Sequence, residues 1–289
     1  MEAEAEELRG WVSRSTLYTF RARDGVRLAA RGWEVGRGKP ERGAVLIIHG
    51  FGEHTARYPH VARCLVRHGF RVVGCDLRGH GHSGGRRGEL KSYCQFLDDL
   101  SLIAEELNVG RNWFLYAHSL GAQLAINWLT VRRPAIQGAV LLSPWLKLAA
   151  HPSMFKMAAA NVMSKIAPRF TQQTGLGIAH LSRDSAFIRS LPGGPLNHRK
   201  MSARMYTECA AGASRAWSIG QEIGVPTFMA HGGDDSLCCP KATATLGQRF
   251  SGPDHVTTII PGARHELHNE TGRQDFLAGV AGWLTEHAA

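Results

Sequence analysis

Trp113-Phe114-Leu115-Tyr116-Ala117-His118-Ser119-Leu120-Gly121-Ala122-Gln123-Leu124-Ala125-Ile126 passes from a continuous apolar run into a helix-periodic segment, and a serine stands at the junction. The run reads as a buried strand and its continuation as a helix, which puts Ser119 on a strand-to-helix turn. A serine hydroxyl is a weak nucleophile at its free pKa. Chemistry needs it exposed at a sharp bend, within reach of a base and of backbone N–H donors. Ala117 and Gly121, two residues away on either side, are small enough to permit such a bend. The pattern departs from G-x-S-x-G at its first position, so the weight of the argument falls on partners further along the chain.

Outward from this turn, short β-rich runs alternate with amphipathic stretches. Strands are expected at residues 44–48, 71–76, 113–117, 138–143, 226–230 and 256–260, and helices at 92–107, 120–132, 241–250 and 274–286. One more helix is marked by Tyr58, Val61, Ala62, Leu65 and Val66, whose i, i+3, i+4, i+7, i+8 spacing lays an apolar stripe against a sheet. This alternation predicts an α/β fold, a mostly parallel central sheet with helices on both faces. Residues 16–22 and 26–34 flank Asp24-Gly25, a hairpin signal, so an antiparallel pair should precede the parallel strands.

From residue 146 to 217 the alternation stops for longer than a loop would run. That predicts an inserted helical cap (lid) on a core built from residues 1–145 and 218–289. Met154, Phe155, Met157, Ala158, Val162, Met163 and Ile166, bounded by Pro152 and Pro168, describe a cap helix apolar on more than one face. Ordinary packing onto the core and a greasy lid turned toward acyl chains or membrane both account for it.

A chain of 289 residues, 44% hydrophobic, is long enough to bury one large core. No apolar stretch approaches the roughly 18 residues that span a bilayer. The start, Met1-Glu2-Ala3-Glu4-Ala5-Glu6-Glu7, is acidic where a secretion signal is basic and then apolar, so a cytoplasmic protein, or one peripheral to a membrane, is expected. Cys64, Cys75, Cys94, Cys209, Cys238 and Cys239 are scattered and read as free thiols. The net charge of +10 raises nucleic acid or an acidic lipid surface as partners. However, Arg86-Arg87, Arg132-Arg133 and His198-Arg199-Lys200 are too short for a basic arm and no nucleic-acid motif accompanies them. Solvated surface charge is the expectation, nucleic acid is not, and the sequence is silent on oligomeric state.

A serine nucleophile needs a histidine base and an acid to orient it. Residues 226–230 run into His231-Gly232-Gly233-Asp234-Asp235, and 256–260 into Pro261-Gly262-Ala263-Arg264-His265. Loops after successive strands thus supply an acid and a histidine in the chain order Ser, Asp, His, and Ser119, Asp235 and His265 are the candidate catalytic residues. Any one alone would read as a turn residue; the order and the placement carry the inference. The oxyanion of acyl transfer needs two aimed donors. Strand 44–48 runs into His49-Gly50-Phe51-Gly52, whose glycines allow close backbone approach, so the N–H groups of Phe51 and Leu120 are the candidate oxyanion hole.

Two further patterns point elsewhere and are set aside. Gly79-His80-Gly81-His82-Ser83-Gly84 matches G-x-G-x-x-G, but Arg86-Arg87-Gly88 follows where a nucleotide-binding helix should open. His265-Glu266-Leu267-His268 spaces its histidines i, i+3 and not the i, i+4 of a zinc helix, so no metal is expected.

His49-Gly50-Phe51-Gly52-Glu53-His54-Thr55-Ala56-Arg57-Tyr58, Asp76-Leu77-Arg78-Gly79-His80-Gly81-His82-Ser83, the Ser119 turn, Leu142-Ser143-Pro144-Trp145 and Gly232-Gly233-Asp234-Asp235-Ser236-Leu237-Cys238 together resemble the monoacylglycerol lipases and lysophospholipases of the α/β-hydrolase fold. The resemblance covers most of the chain and is weakest in the cap. It implies the same roles for Ser119, Asp235 and His265, and adds a polar pocket for a glycerol head formed by Glu53, Arg57 and His268. Carboxylate, guanidinium and imidazole can hydrogen-bond a diol; a structural Glu53–Arg57 ion pair is the other account of the same two residues. Cys238 resembles a cysteine near the active site of some members, and a buried inert thiol accounts for it equally. Ala117 and Ala122 replace family glycines, and Gly194-Pro195-Leu196 stands where the family has Asp-Pro-Leu.

The sequence therefore describes a serine ester hydrolase without cofactor. The resemblance implies a monoacylglycerol as the lipid ester substrate, its chain under the cap, and the greasy cap helix is where a transient membrane-surface contact would fall. A lysophospholipase or general carboxylesterase is the alternative, with an aminopeptidase or thioesterase behind it. A non-catalytic hydrolase-fold ligand-binding protein is a different class, and it would have no need of all three catalytic groups.

Overall fold

The computed structural model describes residues 2–107, 112–150, 152–175, 177–191, 194–250 and 254–288. A helix α1 (Glu2–Ser13) precedes strands β1 (Thr16–Arg21) and β2 (Arg27–Trp33). Then come β3 (Gly43–Ile48), α2 (Pro59–Arg67), β4 (Phe70–Asp76), α3 (Cys94–Glu106), β5 (Trp113–His118), α4 (Leu120–Val131) and β6 (Gly138–Leu142). The middle segment holds α5 (Met154–Ile166), β7 (Thr171–Gln173), α6 (Ser185–Ser190), β8 (Lys200–Ser202) and α7 (Ala203–Ile219). The chain closes with β9 (Thr227–Gly232), α8 (Pro240–Gly247), β10 (His255–Ile260) and α9 (Arg273–Glu286).

The main sheet has the order β1-β2-β4-β3-β5-β6-β9-β10. From β4 to β10 every pairing is parallel, while β2 is antiparallel to both β1 and β4. This is the expected α/β architecture, led by the expected hairpin, in which Gly25 takes φ +84 in the turn. Strand alternation divides the core in two. Val45, Ile47, Phe114 and Tyr116 pack with Val61 and Leu65 of α2 and Val280 of α9, whereas Leu46, Ile48, Leu115 and Ala117 pack on the other face with Phe96 of α3 and Leu124 of α4. Each such large apolar side chain contributes about 1.5–3 kcal/mol by leaving water.

Helix α1 was not foreseen. Trp11 and Val12 are its only large apolar residues besides Leu8, and it is anchored through backbone carbonyls: Trp33 Nε1 donates to Trp11 O at 2.9 Å and Arg31 to Val12 O at 3.1 Å. At the other end, α8 stops at Gly247, short of the expected residue 250; a Cβ there would collide with Thr257 of β10.

The expected cap region contains helices and also an antiparallel ribbon, β7 paired with β8; its residues 151, 176, 192 and 193 lie outside those described. Helix α7 runs past residue 217 and rests on α4. Asn127 donates to Gly212 O at 3.0 Å, and Gly212 lies so near Tyr93 and Gln123 that a methyl group there would clash. Helix α5, capped by Ser153, is two-faced. Lys156, Ala159, Ala160 and Met163 line a cavity, while Met154 and Phe155 are 85% and 88% exposed. Among the described residues no helix is long and apolar enough to cross a membrane.

Candidate active site

Ser119 links β5 to α4 at φ 54, ψ −116, a conformation that costs an L-residue about 1–3 kcal/mol. Surrounding hydrogen bonds impose it. Ser119 N–H donates to Leu142 O at 2.9 Å, and its carbonyl accepts from Gln123 N at 3.0 Å and Trp145 N at 3.2 Å. Gly121 is obligatory for a steric reason, because a Cβ would overlap the Ile48 and His49 carbonyls. Ala117, in the strand and fully buried, needs no positive φ, so the departure from glycine there is tolerated.

The three residues named from distant strands meet. His265 Nε2 lies 2.9 Å from Ser119 Oγ, and His265 Nδ1 lies 2.6 Å from Asp235 Oδ2. Asp235 Oδ1 accepts backbone N–H bonds from Leu237 at 2.7 Å and Cys238 at 3.1 Å. Its Oδ2 also faces His231 Nε2 at 2.9 Å, and His231 Nδ1 faces Thr243 Oγ1 at 2.7 Å. Burial works to raise the Asp235 pKa, but the attraction of His265 and these hydrogen bonds prevail and hold the carboxyl far below its usual range. Burial likewise disfavours charge on His265, yet Asp235 outweighs it and raises the imidazole above its ordinary value of 6.5. The arrangement can take a proton from Ser119 and hold it. His231 was not recognised in the sequence, although it lies next to the end of the same strand, β9, that delivers Asp235.

Leu120 opens α4, so its amide belongs to the helical turn that lacks intrahelical acceptors. Phe51 lines the cavity next to Ser119. The Phe51 loop is strapped to the cap: His198 N–H donates to Gly52 O at 3.0 Å, and the His198 ring lies 5.3 Å from Phe51 and 4.5 Å from His80. Gly52, at φ +79, faces the His198 carbonyl closely enough to exclude any side chain. The Gly79–Gly84 stretch serves this scaffold: Asp76 accepts from Thr55 N at 2.8 Å and His82 N at 2.7 Å, and Arg78 pairs with Asp99 at 2.6 Å.

Of the three residues expected at a head-group pocket, two line the cavity. Glu53 Oε1 accepts from Gly50 N–H at 2.6 Å and Tyr58 O–H at 3.1 Å and faces His118 Nδ1 at 2.9 Å, and Arg57 Nη1 lies 3.2 Å from Glu53 Oε2. Burial alone would raise the Glu53 pKa; Arg57 and His118 reverse this and hold it well below the usual carboxylate range. Arg57 Nη2 is gripped by Glu266 Oε1 and Oε2 at 2.8 and 2.7 Å. The structure does not bring His268 to the cavity. Fully buried, it stacks 4.9 Å from Tyr58 behind His118, and desolvation lowers its pKa well below 6.5. Glu266 and His118, each next to a residue singled out in the sequence, take the places at the wall. Both were hidden by adjacency, since side-chain direction around a turn is not read from spacing.

Among the described residues two groups of ligand-type side chains lie close together, Glu53-His118-His268 and Asp235-Cys238-His265. The first shares its carboxylate with a guanidinium and the second is the hydrogen-bonded constellation itself, so neither has the set of free donors that a metal ion takes. Cys238 lies against Ser119, and burial pushes its thiol well up, which keeps it from acting as a thiolate. Above Ser119 opens a cavity of about 1420 Å³, whose walls include Leu148, Met163, Phe170, Ile178, Leu181 and Tyr206.

A parallel sheet that delivers serine, acid and histidine from the carboxyl ends of β5, β9 and β10 defines a hydrolase of the α/β-hydrolase fold. Residues 39–272 match the serine aminopeptidase S33 family, and the chain belongs to it. It is 28% identical over 282 residues to a monoacylglycerol lipase of Mycolicibacterium smegmatis, covering 93% of this chain and 97% of that one. It is 31% identical over 246 residues to an uncharacterized abhydrolase domain-containing protein of Dictyostelium discoideum, covering 84% of this chain and only 26% of that longer protein. The crystal structure of Paleococcus ferrophilus monoacylglycerol lipase superposes with a TM-score of 0.82 at 30% identity, covering 90% of this chain and 99% of the other.

Proposed function

We propose that the protein is a monoacylglycerol lipase. Ser119 attacks the ester carbonyl, His265 accepts the serine proton and returns it to the departing glycerol oxygen, and Asp235 orients the imidazole. Phe51 and Leu120 N–H groups receive the oxyanion, and water then releases the fatty acid from Ser119 with His265 as base. The observation that carries this is the Ser119–His265–Asp235 chain of 2.9 and 2.6 Å contacts at the foot of one cavity, polar at Glu53 and Arg57 and with apolar wall at Leu148, Met163, Phe170, Ile178 and Leu181. Its volume of about 1420 Å³ exceeds the ~300–1,000 Å³ of ordinary small-ligand sites and suits a long acyl chain. Relatives named monoacylglycerol lipase, matched over nearly their whole length, support the substrate.

The outer face of α5 supports a transient seat on membranes, where monoacylglycerols reside. Met154, Phe155, Val162 and Ile166 are exposed there beside Lys165, a basic and apolar combination that favours an anionic bilayer surface. The test is a hydrolysis panel of monoolein, lysophosphatidylcholine, short aryl esters and aminoacyl amides, with Ser119→Ala as blank. Monoolein should have the highest kcat/KM; a faster aminoacyl amide or lysophosphatidylcholine would overturn the assignment.

A further inference from the structure

Arg57 resembles a ready receptor for a phosphate, but its bonding says otherwise. Nη1 pairs with Glu53 at 3.2 Å, and Nη2 is held by both oxygens of Glu266 at 2.8 and 2.7 Å. Glu266 is itself fixed. Its Oε2 accepts from Asn269 Nδ2 at 2.7 Å, and its backbone N–H donates to Leu181 O at 2.8 Å. Glu53 and Glu266 are both 2% exposed and both reach the cavity. Two carboxylates therefore flank one guanidinium, and this Glu–Arg–Glu group carries one net negative charge. Hydroxyl groups can donate to carboxylate oxygens there, whereas a phosphate would meet like charge with little water to screen it.

Building on the lipase assignment above, we infer that Glu266 is a specificity-determining residue: by occupying Arg57 Nη2 it restricts the head-group end to uncharged, hydroxyl-bearing esters and rejects phosphate-bearing lysolipids. Arg87, Lys156, Arg199 and Lys200 also line the cavity, but they come from the middle segment and the segment before α3, not from this Glu–Arg–Glu group. Freed from Glu266, Arg57 Nη2 would become available as a charged donor to an anion, with Nη1 still paired with Glu53.

The experiment compares kcat/KM for monoolein and oleoyl lysophosphatidate, in the same mixed micelles, for wild type, Glu266→Gln and Arg57→Gln/Glu266→Gln. Glu266→Gln should raise the lysophosphatidate-to-monoolein ratio about tenfold or more, and adding Arg57→Gln should cancel that gain. A ratio unchanged in Glu266→Gln, or a gain that survives loss of Arg57, would overturn the inference while monoolein turnover by wild type leaves the lipase assignment standing. Wild type faster on lysophosphatidate would overturn both. Independently of any variant, an ether analogue of monoolein should inhibit wild type at least about tenfold more strongly than lysophosphatidate does; equal inhibition would contradict the inference.

Discussion

The rim at the carboxyl ends of β5, β9 and β10 and the cap above it use opposite ways of holding a side chain. At the rim each group is over-determined: Ser119 by three backbone hydrogen bonds around a strained turn, Asp235 by two amides and two imidazoles. In the cap, α5 leaves Met154 and Phe155 almost wholly in solvent, and only its inner stripe meets the cavity. Chemistry needs positions fixed to fractions of an ångström, while admitting a lipid needs a wall that tolerates variation. The two regions should therefore respond differently to mutation.

The largest effect belongs to the rim. Ser119→Ala should reduce kcat for monoolein by more than ~10⁴-fold with its thermal midpoint retained, since Ser119 is held in the fold by its backbone hydrogen bonds. Asp235→Asn should cost about 10³–10⁴-fold, because the imidazole loses the acceptor that fixes its tautomer. The same substitution has a pH signature. His265 must be neutral to take the serine proton, and Asp235 raises its pKa, so the acid limb of kcat/KM in wild type should lie above the ordinary histidine value of 6.5. In Asp235→Asn the residual activity should show that limb displaced downward; an unmoved limb would mean that another group controls it.

How far this contrast was visible in the sequence follows the same division. The core was legible because the central strands β3 to β6 are short apolar runs buried on both faces, and because Gly, Asp and His follow the later strands in order. The Ser119 turn was legible because only small residues fit against the Ile48 and His49 carbonyls. The break in the strand–helix alternation over 146–217 was legible, but Met and Ala do not say which face points inward, and the β7–β8 ribbon is too short to leave a period. Of the polar trio Glu53, Arg57 and His268, the first two line the cavity and His268 does not, since a 3₁₀ turn at Leu267–Asn269 directs it behind His118. The N–H groups of Phe51 and Leu120 sit on the loop and helix start where they were expected, but the His198 strap over that loop had no sequence signal beyond a basic triplet.

The strap lets the comparison be sharpened, because it is a cap residue acting on the rim. His198→Ala removes the ring packed on Phe51 and His80, and should lower kcat on a short aryl ester by about tenfold with KM little changed, as loss of an aimed oxyanion donor costs ~10²–10³-fold at most. If His198 shaped only the acyl channel, the short ester would be spared. The smallest effect should come from Met154→Asp/Phe155→Asp, which face solvent: turnover of a soluble short ester and stability should stay within ~0.5 kcal/mol, while hydrolysis of monoolein in anionic vesicles falls several-fold. Equal losses on both substrates would show α5 to be part of the catalytic wall instead of a membrane seat.

The claim on which the rest depends is that His265 activates Ser119. Reaction with a fluorophosphonate probe, mapped by peptide mass spectrometry, tests it directly: one adduct is expected, on the peptide bearing Ser119, formed at least about a thousandfold more slowly in His265→Ala. An adduct on another residue, or equal labelling of wild type and His265→Ala, would contradict it.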